Sequence, residues 1–251
     1  MTDEQRRPGV FVTFEGGEGA GKTTHINFLA DAVRQQGREV ICVREPGGTA
    51  IGEALRSIVL DDAHASMSHE TELLIYEAAR SQLVREVIAP ALERGSVVFC
   101  DRFCDSTIAY QGHGRGLPLD FLMRVNEFAC QGVRPDRTVL MKTSGTASVG
   151  LRRATHHTGG DRMEHAGLDF HARVNQAFDE VAAAEPERVR VVVSAKRKRD
   201  TARCVFAAVA DVLGWDPDDL PFDEEFFAEI EKRKKGLRPE SCPGEDAGRS
   251  C

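Results

Sequence analysis

Short apolar runs rich in β-branched and aromatic residues alternate with longer polar and apolar stretches along most of the chain. The runs predict five strands, at 10–15, 39–44, 96–100, 138–142 and 189–194. Apolar strands separated by helices are typical of a parallel sheet covered on both faces, so the pattern predicts an α/β fold built on a five-stranded parallel sheet. Strand order cannot be read from one sequence, but right-handed crossovers place a site along the carboxyl edge of such a sheet.

The segments between these runs carry helical periodicity. They predict helices at 22–36, 50–60, 70–94, 106–111 and 119–130, with further helices between and after the last two strands. Gly37 follows the first helix at the position of a C-terminal cap. The helix at 70–94 has a predicted apolar side, which consists of Leu73, Leu74, Leu83, Val84, Val87 and Ile88.

The character of the sequence changes after Trp215. Residues 215–251 are rich in acids and prolines and hold one short amphipathic stretch at 222–235, whereas residues 1–9 are polar. We therefore expect three parts: a disordered N-terminus at 1–9, one folded domain at 10–214, and an acidic extension at 215–251 with one short helix and a disordered tail.

Charge and cysteine content narrow the function classes. The formal net charge of −7 argues against a nucleic-acid-binding protein held mainly by phosphate contacts. No run of about 18 apolar residues and no signal peptide is recognisable, so neither a membrane span nor export is expected. The 7 cysteines are odd in number and include no Cys-x-x-Cys pair, which is typical of reduced thiols in a cytoplasmic protein.

The segment GGEGAGKT at 16–23 satisfies the phosphate-binding pattern G-x-x-x-x-G-K-[ST], and it lies between a predicted strand and a predicted helix. Glycines let backbone N–H groups approach phosphate oxygens, and the helix adds its positive N-terminal end. Lys22 is expected to reach the β- and γ-phosphates, and Thr23 to offer its hydroxyl to Mg²⁺. The residues expected to contact ATP are Gly16, Gly17, Glu18, Gly19, Ala20, Gly21, Lys22, Thr23 and Thr24.

Asp101 and Arg102 follow directly after the third predicted strand. A carboxylate at the carboxyl end of a strand can hold Mg²⁺ through water, and the adjacent arginine can clamp phosphate oxygens. A structural ion pair between the two side chains is the alternative.

Further segments resemble the thymidylate kinase family in order and spacing. They are REPGGT at 44–49, LR at 55–56, YEAAR at 76–80, DR at 101–102 and STIAYQG at 106–112. The resemblance covers about residues 11–213. It implies a three-layer P-loop NTPase fold and phosphoryl transfer from Mg²⁺-bound ATP to dTMP, giving ADP and dTDP for dTTP synthesis. It also implies a homodimer, with no nucleic-acid or membrane partner.

The resemblance implies roles around the base and sugar of the acceptor. Tyr76 corresponds to the aromatic residue that stacks on the base, and Arg80 to the arginine that binds a thymine carbonyl. Ser106 lies near the imide edge of the base, and Tyr110 packs under the deoxyribose with Gln111 beside it. Without the resemblance, both tyrosines could be core residues, and Arg80 could be a surface arginine paired with Glu77 or Glu86.

The resemblance also implies roles around the phosphates. Arg56 and Arg102 are similar to the arginines that hold the acceptor phosphate, and two guanidinium groups suit a phosphate dianion. Glu18 corresponds to the acidic residue that approaches the sugar 3′-hydroxyl. Catalysis would come from alignment of the substrates and from charge directed at the transferring group. Lys22 and Arg102 would be the catalytic residues. Thr23 and Asp101, the metal side of the site, would hold Mg²⁺.

The sequence departs from the family in its lid, at about 150–164. Family members supply one more arginine from the phosphate-binding loop or the lid, and this loop has none. Residues 155–160 of the lid also lack arginine, which leaves Arg153 and Arg162 as catalytic candidates, with Arg152 behind them. His156 and His157 are a further alternative, although a neutral imidazole binds anions weakly near pH 7. Two rivals to the leading hypothesis stay open: a related nucleoside or nucleotide kinase with a different acceptor, and a nucleotide-binding regulator with weak catalysis.

Overall fold

The computed structural model describes residues 8–143, 161–216 and 218. Its strands are β1 (Val10–Glu15), β2 (Val40–Arg44), β3 (Val97–Asp101), β4 (Arg137–Lys142) and β5 (Val189–Val193). They form one five-stranded sheet in the order β2-β3-β1-β4-β5, and every pairing is parallel. The predicted fold class is thus confirmed, and β1 lies at the centre of the sheet with β3 and β4 beside it.

The α-helices lie between the strands and after the last one. They are α1 (Lys22–Gln35), α2 (Ala50–Leu60), α3 (His69–Leu83), α4 (Ala89–Glu93), α5 (Cys104–Thr107), α6 (Leu119–Cys130), α7 (Leu168–Ala184) and α8 (Lys198–Leu213). A wider π-helical segment, Val84–Ile88, joins α3 to α4, so the predicted helix at 70–94 is one continuous helical stretch. A second π-helical segment, Ile108–Gly114, continues α5 where the sequence predicts a short helix at 106–111.

Alternation along β1 divides the core between the two faces of the sheet. Val12 and Phe14 point to the layer formed by α1 and α8, where Leu29 and Phe206 pack. Phe11 points to the opposite layer, which is formed by α3, α4 and their neighbours. These three layers confirm that helices cover both faces of the sheet.

The predicted apolar side of the long helix is wrong at one position. Leu73 is 1 % exposed and Leu83 is fully buried, but Leu74 is 56 % exposed. A helix turns by about 100° per residue, and here that rotation carries Leu74 out of the face that buries Leu73. Among the described helices, none is long and apolar enough to cross a membrane.

Candidate functional site

The loop between β1 and α1 has the backbone of a phosphate cradle. Its glycines take left-handed conformations, with φ of 122° at Gly16, 69° at Gly19 and 92° at Gly21. A β-carbon at Gly16 would lie 2.0 Å from the carbonyl oxygen of Met141, so only glycine fits there. Turns of this kind orient successive N–H groups towards one point, which is the geometry that binds an anion.

Lys22 is the first residue of α1 and is 7 % exposed. Its ammonium group donates hydrogen bonds to the carbonyl oxygens of Gly16 and Gly17, each at 3.2 Å. Burial and the nearby charge of Arg102 lower the pKa of Lys22, whereas Asp101 and Glu18 oppose that shift. The lysine is therefore held within the loop that it is predicted to serve.

Thr23 and Asp101 meet across the end of the sheet. The Thr23 hydroxyl donates to the Asp101 carboxylate at 2.9 Å. A hydroxyl and a carboxylate in contact supply the hard oxygen ligands that Mg²⁺ prefers. The two residues predicted for the metal side thus lie together, and their donor atoms fit that ion.

Arg102 connects the loop after β3 to the phosphate cradle. Its guanidinium pairs with the Glu18 carboxylate, donates to the carbonyl oxygen of Gly16 at 3.2 Å, and lies 5.0 Å from the ring centroid of Tyr110. Burial raises the pKa of Glu18, but the charges of Arg102 and Lys22 outweigh it and lower that pKa to about 2. Glu18 is therefore an anion at neutral pH. The alternative pairing of Arg102 with Asp101 is not what the structure shows.

One cavity of about 540 Å³ contains most of the predicted site. Its walls include part of the phosphate-binding loop, at 18–24, and both residues of the metal side. From the predicted acceptor side, the lining residues are Arg56, Tyr76, Arg80, Arg102, Ser106, Tyr110 and Gln111. Gly16 and Gly17 instead border a neighbouring cavity of about 190 Å³ between the loop, β4 and α7. Segments that are far apart in sequence thus surround a single space beside the cradle.

Arg80 is fixed by a network of buried acceptors. Nε and Nη2 donate to the same Glu45 oxygen at 2.8 and 2.6 Å, and Nη1 donates to Glu77 at 2.6 Å and to Asn126 and Thr107 at 2.6 and 2.8 Å. Burial lowers the pKa of Arg80, but Glu45 and Glu77 more than compensate and raise it well above its usual value. The alternative of a surface arginine is wrong, although the pairing with Glu77 that it supposed is present.

The same network leaves one donor of Arg80 available. Nη2 carries two hydrogens, and the contacts within the described residues give it one acceptor, on Glu45. Arg80 is 2 % exposed and lines the cavity, so a ligand that enters there would meet a rigid, charged N–H group.

Two predicted acceptor residues are held by carboxylates that the sequence interpretation did not include. Gln111 is 2 % exposed and donates to Glu72 at 2.9 Å. The Ser106 hydroxyl donates to Glu15 at 2.6 Å and lies 3.3 Å from Nη1 of Arg102, which donates to it. Ser106 therefore belongs to the support of Arg102 as well as to the cavity wall.

Arg162 lies outside the cavity wall. It pairs with the fully buried Glu72 at 2.7 Å and donates to the carbonyl oxygen of Val59 at 2.9 Å. Arg115 binds the same carboxylate at 3.0 Å. The other predicted lid arginine, Arg153, lies outside the described residues. Arg162 thus fastens the end of the predicted lid segment to α2 and α3.

The residues that the sequence interpretation missed are mostly buried acids: Glu15, Glu45 and Glu72. Glu45 lies inside the REPGGT segment, and Glu15 directly precedes the glycine loop, so their positions in the motifs were available as signals. Glu72 gives no such signal because its partners come from Gln111, Arg115 and Arg162, far along the chain.

Two unusual basic features flank the cradle. Lys142, at the end of β4, pairs with Asp179 of α7. Lys196, Arg197 and Lys198 are exposed, and the preceding Ser194 hydroxyl donates to the carbonyl oxygen of Ala20 at 3.0 Å. The basic segment at 195–199, which runs into the first turn of α8, therefore begins next to the phosphate-binding loop.

Comparisons with known proteins agree with this geometry. The sequence model described as "Thymidylate kinase" matches residues 14–204. The chain is 45 % identical to a thymidylate kinase of Pelobacter propionicus over 207 residues, which is 80 % of this chain and 94 % of the relative. It is also 45 % identical to a thymidylate kinase of Geobacter sulfurreducens over 211 residues, covering 82 % and 96 %.

A solved structure is similar over the same extent. The crystal structure of a thymidylate kinase from Ehrlichia chaffeensis shares 30 % sequence identity, with a TM-score of 0.66. The match covers 82 % of this chain and 99 % of that chain.

Replacing the first glycine of the cradle tests its close packing. Gly16→Ala is expected to lower the free energy of unfolding by about 3 kcal/mol or more, because left-handed strain and overpacking against Met141 add together. Gly37→Ala is the matched control: its φ is 73° and no atom lies within 4 Å of an added β-carbon, so strain alone costs about 1–2 kcal/mol. Equal losses in urea-induced unfolding would show that the contact with Met141 carries no cost.

Proposed function

The chain belongs to the thymidylate kinase family, and from that premise we propose that it transfers the γ-phosphoryl group of ATP to dTMP, giving ADP and dTDP. The observation that carries the proposal is the single cavity in which the phosphate-binding loop faces Tyr76, Arg80 and Arg102. One space then holds donor phosphates and a thymine nucleotide together. Direct transfer between two bound nucleotides needs that arrangement.

On the donor side, the backbone amides of residues 16–24 and the ammonium of Lys22 bind the triphosphate. Lys22 exchanges its contacts with the Gly16 and Gly17 carbonyl oxygens for phosphate oxygens. Thr23 and Asp101 hold Mg²⁺, which when bound neutralises charge on the β- and γ-phosphates.

On the acceptor side, Arg56 and Arg102 hold the phosphate of dTMP. Arg102 already faces the cradle, and the acceptor phosphate joins or replaces Glu18 as its anionic partner. Glu18, as an anion, can accept a hydrogen bond from the 3′-hydroxyl of the sugar. Two fixed guanidinium groups orient the phosphate for in-line attack on the γ-phosphorus.

The base is read by the far end of the cavity. Tyr76 supplies the stacking face, and the remaining N–H of Arg80 donates to a thymine carbonyl. Tyr110, with Gln111 and Ser106 beside it, packs against the sugar and the base. Because Arg80 is held by two carboxylates, it keeps its position whether or not the base is present.

The arginine that meets the transferring phosphoryl group comes from the lid at about 150–164. The variable positions of the phosphate-binding loop are Gly17, Glu18, Gly19 and Ala20, none of which is basic. Arg153 and Arg162 are the candidates, and Arg162 must leave Glu72 to act. Closure of the lid also excludes water, which would otherwise hydrolyse ATP.

We propose that the kinase domain spans 10–214 and works in the cytoplasm, with 215–251 as an acidic extension. It forms a homodimer through an apolar surface on α2, α3 and α6. Ile51 and Ile58 are exposed seven residues apart on α2, and Phe121 and Phe128 are seven apart on α6. Helix α3 packs between these two helices and exposes Leu74.

Acceptor choice is tested by coupled ADP release with dTMP, dUMP, dCMP, dGMP and AMP. Turnover is expected to be highest on dTMP because the cavity combines a stacking tyrosine with a fixed arginine donor. A maximum on another nucleotide would make the protein a related kinase of different specificity. Binding of ATP without acceptor-stimulated ADP release would make it a nucleotide-binding regulator.

The lid arginine is tested by Arg162→Ala, which is expected to lower kcat by about 10³-fold or more, the range found for arginines that meet the transferring group. Arg115→Ala is the matched control because Arg115 binds the same Glu72 carboxylate but is assigned no contact to substrate. Steady-state kinetics give both values. A loss of only a few-fold for Arg162→Ala would move the role to Arg152, Arg153 or the lid histidines, His156 and His157.

The dimer surface is tested by Phe128→Glu, which places a charge on an aromatic residue that is 82 % exposed. Sedimentation velocity is expected to show a dimer for the wild type and a monomer for this variant. Met123→Glu is the control, because Met123 is 59 % exposed on the other side of the same helix. If both variants remain dimeric, the interface lies elsewhere.

A further inference from the structure

Glu15 is a buried carboxylate that none of the roles above uses. It is the last residue of β1, directly before Gly16, and it is fully buried. Burying a carboxylate is costly unless hydrogen bonds compensate for the lost water. The partners of Glu15 therefore show what this position does.

Within the described residues, the hydrogen bonds to the Glu15 carboxylate come from the turn that follows β3. The Phe103 amide donates to one carboxylate oxygen at 2.7 Å and the Ser106 amide to the same oxygen at 3.3 Å. The Ser106 hydroxyl donates to the other oxygen at 2.6 Å. One side chain at the base of the phosphate cradle thus holds both ends of the 103–106 turn.

That turn carries Arg102 in a strained conformation. Arg102 has a φ of 72°, in the left-handed region that non-glycine residues rarely adopt. Such a residue persists only where its surroundings fix it. Its amide donates to the carbonyl oxygen of Phe14 at 2.9 Å, so β1 holds the residue on one side, while Glu15 holds the turn on the other.

The guanidinium of Arg102 contacts the phosphate cradle. Nη1 donates to the carbonyl oxygen of Gly16 at 3.2 Å and to the Ser106 hydroxyl at 3.3 Å. Glu15, Ser106, Arg102 and Gly16 therefore form a closed circuit between the strand that carries the donor loop and the turn that carries the acceptor arginine.

We propose that Glu15 is a positioning residue that fixes the acceptor-binding Arg102 relative to the donor phosphate loop. The proposal rests on the proposed function, because the distance that Glu15 sets is the one across which the phosphoryl group moves. A displacement of the reacting groups by about 1 Å can reduce turnover by about 10²-fold.

The charge of Glu15 gives this role a signature. The charged and titratable groups that act on Glu15, or on which it acts, are Asp105, Arg102, Lys22, Tyr110 and Cys100. Burial and the charge of Asp105 raise the pKa of Glu15 to about 7, against the contacts with Ser106, Arg102 and Phe103. Above that pH the carboxylate accepts all three hydrogen bonds. As pH falls through about 7, protonation turns one oxygen into a donor and weakens the hold on the turn.

Two substitutions separate positioning from general support. Glu15→Ala removes every acceptor, and we expect kcat to fall by about 10²-fold or more, with a raised KM for dTMP and a KM for ATP within about threefold of wild type. Glu15→Gln keeps an acceptor for the Phe103 and Ser106 amides, so kcat should stay within about tenfold. The wild-type kcat profile should contain an ionisation near pH 7, and the profile of Glu15→Gln should lack it.

Asp136→Ala is the matched control. The Asp136 carboxylate accepts the amide of Phe11 at 2.8 Å, so it also binds a backbone amide of β1, but at the end away from the site. This variant should keep the wild-type kcat and pH profile. A Glu15→Ala variant that lost no more activity than Asp136→Ala would overturn the proposal.

The outcomes remain distinguishable if a variant fails to fold or the reaction differs. If Glu15→Ala does not fold, the Glu15→Gln variant decides the question. A kcat and a low-pH dependence of kcat that both equal those of the wild type would overturn the proposal. Calorimetric binding of dTMP, which needs no turnover, is expected to weaken at least tenfold in Glu15→Ala while ATP binding holds. A wild-type protein that binds dTMP without phosphorylating it would contradict the proposed function. Wild-type turnover together with unchanged activity of the Glu15 variants would contradict only the positioning role.

Discussion

The pairing of β1 with β3 brings the two halves of the site together. Phe14 is in register with Asp101, and the amide of Arg102 extends the ladder by donating to the carbonyl oxygen of Phe14 at 2.9 Å. Parallel strands end at the same edge of a sheet, so the glycine loop after β1 and the Asp-Arg pair after β3 must emerge side by side. The contacts between Thr23 and Asp101, and between Glu18 and Arg102, follow from that one alignment.

Electrostatics then determines how firmly each group is held. The arginines of the site are buried against carboxylates: Arg102 against Glu18, and Arg80 against Glu45 and Glu77. Isolated charges at such depth would be unstable, whereas paired charges are fixed in orientation. The protein thus meets the cost of ordering these side chains on folding, so an anionic or polar ligand that enters the cavity would meet groups that are already placed.

Local sequence was enough to predict the strands, the glycine loop and the class of fold, because those features depend on periodicity and on a motif with a backbone mechanism. Strand order depends on long-range pairing and was not predicted. The error at Leu74 arose because each residue of a helix is rotated by about 100° from the one before it, so that Leu74 lies outside the face that buries Leu73. The partners of Arg80 and Arg162 are buried glutamates that lie near them only after folding. Ser106, predicted near the base of the acceptor, lines the cavity, and its bond to Glu15 depends on the register of β1 and β3.

The π-helical segment Ile108–Gly114 has a consequence for how specificity can change in this fold. The wider turn of this segment accommodates an extra residue, and Tyr110 and Gln111 both line the cavity from within it. Deletion of one residue would return the segment to the tighter α-helical turn and would change which of its own side chains line the cavity. The wall of this cavity can therefore be altered by a one-residue deletion as well as by substitution, with the sheet and the phosphate-binding loop left in place.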